Sequence, residues 1–470
     1  MRPPVSVNQS RLPRREILRF VGALSGAAAV TLLAACGGSV AATTSSATSA
    51  AAIAAATSSA AVTTAAAAPA QSKAVPSQGA VSVQVRFNGL DTNGQKYATT
   101  WGATYGPANN IKISLDFTDW ASSFQKITTG IAGGIAPDIF GAGGIWVPVI
   151  VSKGGARALD EYLAKYPDWS DYYPAAQKDV VWKGKTYGVP YELDLRQCIS
   201  HRKSLYDKAG IKAPPATWDE AHAISKELLQ MNGANFVVSG WNIIVDFNVT
   251  QYYEDAVFQA GGHIYSSDLS KPTNTQPENE AALNFMVWFV QNKIMPGAGM
   301  SSGTPNLNAY TAGKVAQTPL GPHDLENTEV YGPDVYKDTL LGMPMKQVKQ
   351  AQVLFVNKHM MFSGTKVPDA AWQVMQGLVV PDTNVQIFVV GDLGMPVRKA
   401  QASNKIYDDP RLKTMIDSIP LSIPREMTPQ SFDIQPAMSR EVEAALRGVK
   451  TVKQALTDMD AAVAKILAGQ

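Results

Sequence analysis

The sequence predicts an α/β fold split into more than one folding unit, and three observations carry that expectation. Val81, Val83, Val85 and Phe87 alternate with polar residues, as do Ile111, Ile113, Leu115 and Phe117, the period of half-buried strands. Trp120, Phe124, Ile127 and Ile131 then recur at helical spacing over residues 119–131, and Ile139-Phe140 reads as a short buried strand. Strand, helix and strand in that order argue for parallel pairing. The third observation is size: 470 residues exceed what one core usually organises.

Before these elements the chain reads as an address and a tether. Arg14-Arg15-Glu16-Ile17 is a twin-arginine, charged segment, followed by an apolar run from residue 20 to 35 that is short for a bilayer span. It ends Leu33-Ala34-Ala35-Cys36, which resembles a bacterial lipobox, so residues 1–36 are expected to be a lipoprotein signal with Cys36 as the lipidated residue. Residues 37–79 are almost wholly Ala, Ser, Thr and Val and are expected to be a tether. The folded body is thereby placed outside the cytoplasmic membrane, anchored to the cell membrane by acyl chains.

Within that body a Gly- and Thr-rich connection joins the first two strands. Val180-Val181-Trp182 and Thr186-Tyr187 flank Lys183-Gly184-Lys185, a hairpin signal that leads into Tyr187-Gly188-Val189-Pro190-Tyr191-Glu192-Leu193-Asp194-Leu195-Arg196. A helix closed by Gly210 follows, and Thr217 and Glu220 have capping-box spacing for the next. Further helices are expected near 247–260, 277–293, 369–380, 436–447 and 451–468, with a strand at 353–356.

Five segments, in this order, resemble the extracellular solute-binding proteins of ABC importers, of the sugar and maltodextrin type. They are Gly134-Ile135-Ala136-Pro137-Asp138-Ile139-Phe140, the 187–220 stretch, Tyr310 to Lys314 followed by Gly321-Pro322-His323-Asp324, Ala370-Ala371-Trp372, and Gly391-Asp392-Leu393-Gly394-Met395-Pro396. The resemblance implies a two-lobe periplasmic-binding-protein-like fold with a hinge and an interlobe ligand cleft. On that reading residues 80–193 with 350–393 form the N-terminal lobe, and residues 194–349 with 394–470 the C-terminal lobe. Crossings would fall near 190–196, 345–352 and 391–396. The sequence departs from the family at Ile199-Ser200-His201-Arg202-Lys203, where a Tyr-Tyr-Asn-Lys strand is usual, and near Gln350-Ala351-Gln352, where a glycine pair is missing.

Glu192 and Asp194 lie two apart on an extended segment and so face one side. With Arg196 they offer acceptors and a forked donor to a polyol, or a salt bridge at the hinge. They stand too close to straddle a scissile bond as acid and base. Trp120, Trp146 and Trp241 sit beside loops where an indole can stack on a sugar ring or fill a core, and Tyr191 and Phe432 are lesser candidates. Asp138 accepts ligand hydroxyls or caps the next element, and His323 and Asp324 occupy a cleft-facing loop on the family resemblance.

No catalytic residue, cofactor or metal site is expected. The five histidines are scattered at 201, 222, 263, 323 and 359 without ligand spacing, and Gly299-Met300-Ser301-Ser302-Gly303 lacks the strand that a nucleophile elbow needs. A net charge of +2 with no Lys/Arg block argues against nucleic acid. The expected partners are a small sugar, an ABC permease and, through Cys36, the membrane, with the protein acting as a monomer. A polyol, a glycerol-phosphate ester or a polyamine remain alternative ligands, and an exported carbohydrate-active enzyme is the alternative of another class.

Overall fold

The computed structural model describes residues 80–246, 249–304, 307–389 and 393–469. The signal segment 1–36 with Cys36, the tether 37–79, and Gly391 and Asp392 lie outside the described residues.

Both alternating segments are strands: β1 (Val81–Asn88) and β2 (Ile111–Thr118) pair in parallel along their whole length, and β3 (Ile139–Ala142) joins the other edge of β1, also in parallel. The expected helix between β2 and β3 spans Trp120–Ala132, with Asp119 as its cap. The hairpin β4 (Val181–Trp182) and β5 (Lys185–Thr186) turns through Lys183 and Gly184, both at positive φ, as a tight two-residue turn requires. Next come β6 (Val189–Leu195), β7 (Cys198–Arg202), β8 (Gln230–Asn232), β9 (Asn235–Val238), β10 (Gln317–Leu320), β11 (Thr339–Gly342), β12 (Gln352–Met361) and β13 (Ser422–Pro424).

One element leaves no mark in the periodicity. The connection between β1 and β2 is a helix, Thr92–Ala108, capped by Asp91, whose Oδ1 accepts from the Gly94 amide at 2.7 Å. Its buried face is Gly94, Ala98, Gly102 and Gly106, spaced by four. A helix that packs through glycine shows no large apolar period, so periodicity is silent. The face is nonetheless close-packed: a Cβ on Gly106 would stand 2.6 Å from the Ile111 carbonyl oxygen.

β12 organises the large sheet. It pairs in parallel with β13 through Gln352–Leu354, antiparallel with β3 through Lys358–Met361, and antiparallel with β6 from Leu354 to His359, so the sheet is mixed rather than wholly parallel. A second sheet runs β10-β7-β11, all antiparallel. The chain therefore passes from one sheet to the other between Leu195 and Cys198, and returns between Gly342 and Gln352.

Two hydrophobic cores correspond to the two lobes. The first gathers Val83, Val85, Leu193, Leu195, Leu354 and Val356, and the second gathers Tyr253, Phe258, Phe289, Met438 and Leu456. The third crossing is not at 391–396. Leu393, Met395 and Val397 belong to the first core, Met395 pairs with Leu193, and Tyr407, Leu412, Met415 and Ile419 extend the same core. Ile423 of β13 packs against the second core, and the chain joins that core's buried residues at Ile434, in the helix Ser431–Leu446. Met395 is held by its bridge to Leu193 of β6, and Leu393 and Val397 are buried beside it in the first core.

Two neighbours on β12 are fully buried, and each is held by a different physical circumstance. Lys358 Nζ donates to Asp179 Oδ2 at 2.6 Å and to the carbonyls of Gly143 and Gly144 at 3.0 and 3.2 Å. Burial lowers the Lys358 ammonium and raises the Asp179 carboxyl, and each is drawn back by the other. His359 has neither ring nitrogen hydrogen-bonded and lies among the rings of Phe87, Tyr191 and Phe388. Burial alone pushes it down to about 3.

Lys358→Met strands the Asp179 carboxylate in the core and should cost about 3–5 kcal/mol by urea denaturation, with much of the loss recovered in Lys358→Met/Asp179→Leu. A single variant within ~1 kcal/mol of wild type would contradict the buried pair. His359 predicts an acid dependence. Below the ordinary imidazole value of 6.5 the unfolded chain takes up a proton that the folded core refuses. Stability present above pH 6.5 is thus lost by ~1.4 kcal/mol per pH unit as pH falls toward 3. His359→Leu should flatten that slope by about this amount, and an unchanged slope would contradict the assignment.

Candidate functional site

The register of β6 against β12 sets the floor of a cleft. Asp194 lies opposite Phe355, and Glu192 opposite Asn357, so these four residues form neighbouring cross-strand pairs. The alternate residues Val189, Tyr191, Leu193 and Leu195 point into the first core. The register shifts between Asn357 and Lys358, where β6 carries the extra residue Tyr191; Asn357 lines the cleft and Lys358 is buried.

The cleft encloses about 360 Å³. Its aromatic wall is built on the first lobe. Trp120 opens the helix after β2 and is 37% exposed, and Trp146 opens the helix Trp146–Ser152. The two indoles meet edge to face at 6.0 Å. Gly89, at φ +72°, lies under the Trp120 indole, where a Cβ would stand 2.0 Å from Nε1. From the second lobe Phe432, in the first turn of its helix, stacks on Phe124 at 3.7 Å, and Gln435 follows one turn later.

The polar side is a set of compensated charges. Arg196 donates from Nε to Asp194 Oδ2 at 2.6 Å and from Nη1 to Gln251 Oε1 at 3.4 Å. Burial would raise the Asp194 carboxyl, but Arg196, and after it His323, holds it below the usual carboxylate value. Burial would lower the Arg196 guanidinium, and the Asp194 carboxylate raises it instead. Arg425, on the connector between β13 and the helix Ser431–Leu446, forms a two-pronged pair with Glu254 of the helix Val249–Ala260, at 2.7 and 2.5 Å. Burial opposes its charge as well, and Glu254 outweighs that and raises it. The two guanidiniums lie 5.4 and 5.1 Å from the Phe355 ring. His323 Nε2 stands 3.0 Å from Glu192 Oε1, and Asn357 Nδ2 donates to Glu192 Oε2 at 3.2 Å.

Of the residues singled out in the sequence, the structure brings Trp120, Trp146, Asp194, Arg196, His323 and Phe432 to one cleft, with Glu192 just beneath and bound to two of its lining residues. The others stand elsewhere. Trp241 is 2% exposed in the second core, stacked on Phe289 at 4.9 Å, because its indole fills the space behind the helix Pro277–Gln291. Tyr191 is buried against Phe388 at 4.1 Å, since a residue next to Glu192 on a strand must face the opposite side. Asp138 ties β1 to the loop after β12, accepting from the Gln84 amide and the Thr365 hydroxyl. Asp324 lies in the first turn of the helix Pro322–Tyr331 and accepts from the Gly321 amide and Asn308. It reaches the cleft only through its field on Arg196.

Gln251, Phe355, Asn357, Arg425 and Gln435 also line the cleft, and the sequence pattern does not single them out. Signals exist for two of these pairings: Phe355 and Asn357 share a strand face, and Phe432 and Gln435 a helix face. Cys198 is a buried free thiol pushed up to about 12 by its burial, in keeping with an inert role. Among the described residues there is no cluster able to hold a metal ion and no helix long and apolar enough to cross a membrane.

Comparison with known proteins places this architecture. A putative binding protein of Brucella abortus is 28% identical over 305 residues, covering 64% of this chain and 72% of that protein. The sugar-binding protein MalE of Xanthomonas citri superposes with a TM-score of 0.72 at 18% identity, covering 82% of this chain and 98% of that one. An ABC transporter solute-binding protein of Thermotoga lettingae, solved with α-D-tagatose bound, gives 0.70 at 22% identity, covering 82% and 100%. These likenesses show the two-lobe periplasmic-binding fold. Residues 92–383 match the family described as bacterial extracellular solute-binding protein, and this chain belongs to that family.

Proposed function

We propose that this protein is the substrate-binding component of an ABC importer, capturing an uncharged mono- or oligosaccharide between its lobes and handing it to a membrane permease. The observation that carries the reading is the pairing of an aromatic wall, Trp120 and Trp146, with a floor of charge-compensated hydrogen-bonding groups. Rings cover the apolar C–H face of a sugar, while the polar groups bind its hydroxyls. Structural neighbours that bind tagatose and that are described as sugar-binding support the same ligand class.

The alternatives fit less well. A phosphate ester wants uncompensated cationic donors, whereas Arg196 and Arg425 each face a buried carboxylate. A polyamine wants open carboxylates, and Asp194 and Glu254 are each paired with an arginine. Glycoside hydrolysis needs two carboxylates flanking the ligand, and Glu192 and Asp194 sit on one strand beneath it. The protein is thus a binder rather than an enzyme. The lipobox-like Leu33-Ala34-Ala35-Cys36 and the twin arginine at 14–15 support export and anchoring of a monomeric protein through Cys36.

The full chain, screened by thermal unfolding against neutral sugars, should gain about 2.7 kcal/mol at a ligand concentration a hundredfold above Kd. Trp120→Ala should leave the unliganded midpoint nearly unchanged and weaken binding roughly tenfold or more, as loss of a ligand-facing indole does. Trp241→Ala should instead destabilise the unliganded protein by about 3–5 kcal/mol. If Trp120→Ala binds as wild type, the cleft is not the ligand site.

A further inference from the structure

The three segments that join the lobes converge on one helix. In Val249–Ala260 the polar residues Gln251, Glu254, Asp255 and Gln259 stand at the spacing of a single helix face, and all four are buried. On the first crossing, Gln251 Oε1 accepts from Arg196 Nη1 at 3.4 Å. On the second, Asp255 Oδ1 accepts from the Val353 amide at 3.0 Å, and Gln259 Nε2 donates to the Ala351 carbonyl at 3.0 Å. The Gln259 carbonyl also accepts from the amides of Val348 and Lys349. On the third, Glu254 takes both prongs of Arg425. These bonds cluster along one line. Leu195, Leu354 and Pro424 are partners in a row across β6, β12 and β13, and a chain neighbour of each, Arg196, Val353 and Arg425, is bonded to the helix.

Burying polar groups is costly unless each is paired, and an apolar face could hold the crossings equally well. What hydrogen bonds add is direction. A planar guanidinium held through Nε and Nη2 by one carboxylate is fixed both in its plane and in its heading. Arg425 lines the cleft with its guanidinium 5.1 Å from the Phe355 ring, whereas the lining excludes Glu254. The other arginine differs, because Asp194, which pairs with Arg196, is itself part of the lining. Glu254 therefore stands behind the cleft and holds a side chain that forms its wall.

We propose that Glu254 is a positioning residue for ligand binding, acting on the ligand only through Arg425, and that the helix carrying it seats the polar side of the cleft. This deepens the saccharide reading and rests on it. Calorimetric titration of the full chain with glucose, galactose, mannose, maltose and cellobiose finds the tightest-bound of these sugars, which then serves as the probe. Glu254→Gln keeps the size of the side chain and one acceptor but releases one prong of Arg425. It should weaken binding of the probe about tenfold or more. Removing the arginine tests the route. Arg425→Met is combined with Glu254→Gln in one variant and with Glu254→Leu in another, because Arg425→Met alone strands a buried carboxylate. The two double variants should bind the probe within about twofold of each other, since the position has lost the group through which it acts. Wild-type affinity in Glu254→Gln, even with a lowered unfolding midpoint, would make the pair a support of the fold alone and overturn the proposal. Double variants that differ by more than that twofold would give the position a route of its own and overturn it too. Binding of none of the five sugars by the wild type would overturn the proposal together with the saccharide reading.

Discussion

The alignment of β6 with β12 is the constraint on which the rest of this structure depends. Because side chains alternate on a strand, the same register that sends Leu193, Leu195, Leu354 and Val356 into the first core sets Asp194 beside Phe355 and Glu192 beside Asn357 on the other face. A slip of one residue would bury two carboxylates in hydrocarbon and expose the core. The register is held by Lys358, just past the bulge, whose ammonium reaches Asp179 and the two carbonyls of the turn that carries Trp146. The floor and the aromatic wall are therefore positioned by one strand.

Function as a capture device follows from which lobe supplies which group. Trp120, Trp146 and Asp194 come from the first lobe's elements. Gln251 and Glu254 come from the second lobe's helix Val249–Ala260, and Phe432 and Gln435 from its helix Ser431–Leu446. A ligand touching both sets favours the closed arrangement by the difference in contact that it makes, and a ligand held by one set alone would shift nothing. Arg425 stands on the connector between the two, so its pair with Glu254 fastens the crossing segment to the second lobe at the edge of the cleft.

Much of this fold is legible in the amino-acid sequence. Alternation at 81–87 and 111–117 and the helical spacing at 120–131 identify the elements that form there, because large apolar side chains do the packing. The helix at 92–108 escapes the same test, because glycine and alanine do its packing. At the site, the i, i+2 spacing of Glu192 and Asp194 tells their common face, and the same rule applied to Tyr191 places that ring in the core. Trp241 shows the limit: a tryptophan after Ser239-Gly240 reads alike whether it stacks on a ligand or on Phe289, and only the partner helix decides. The meeting of Arg425 and Phe355 with Arg196 is invisible in sequence, since it depends on strand pairing and on a connector from a distant part of the chain.

Hydrogen–deuterium exchange of the full chain with and without saturating saccharide tests the central claim most directly. The account predicts slower exchange on both sides of the cleft at once, at residues 143–152 of the first lobe and at 249–255 and 425–435 facing them. Protection confined to one lobe, or found at a site remote from β6 and β12, would contradict it.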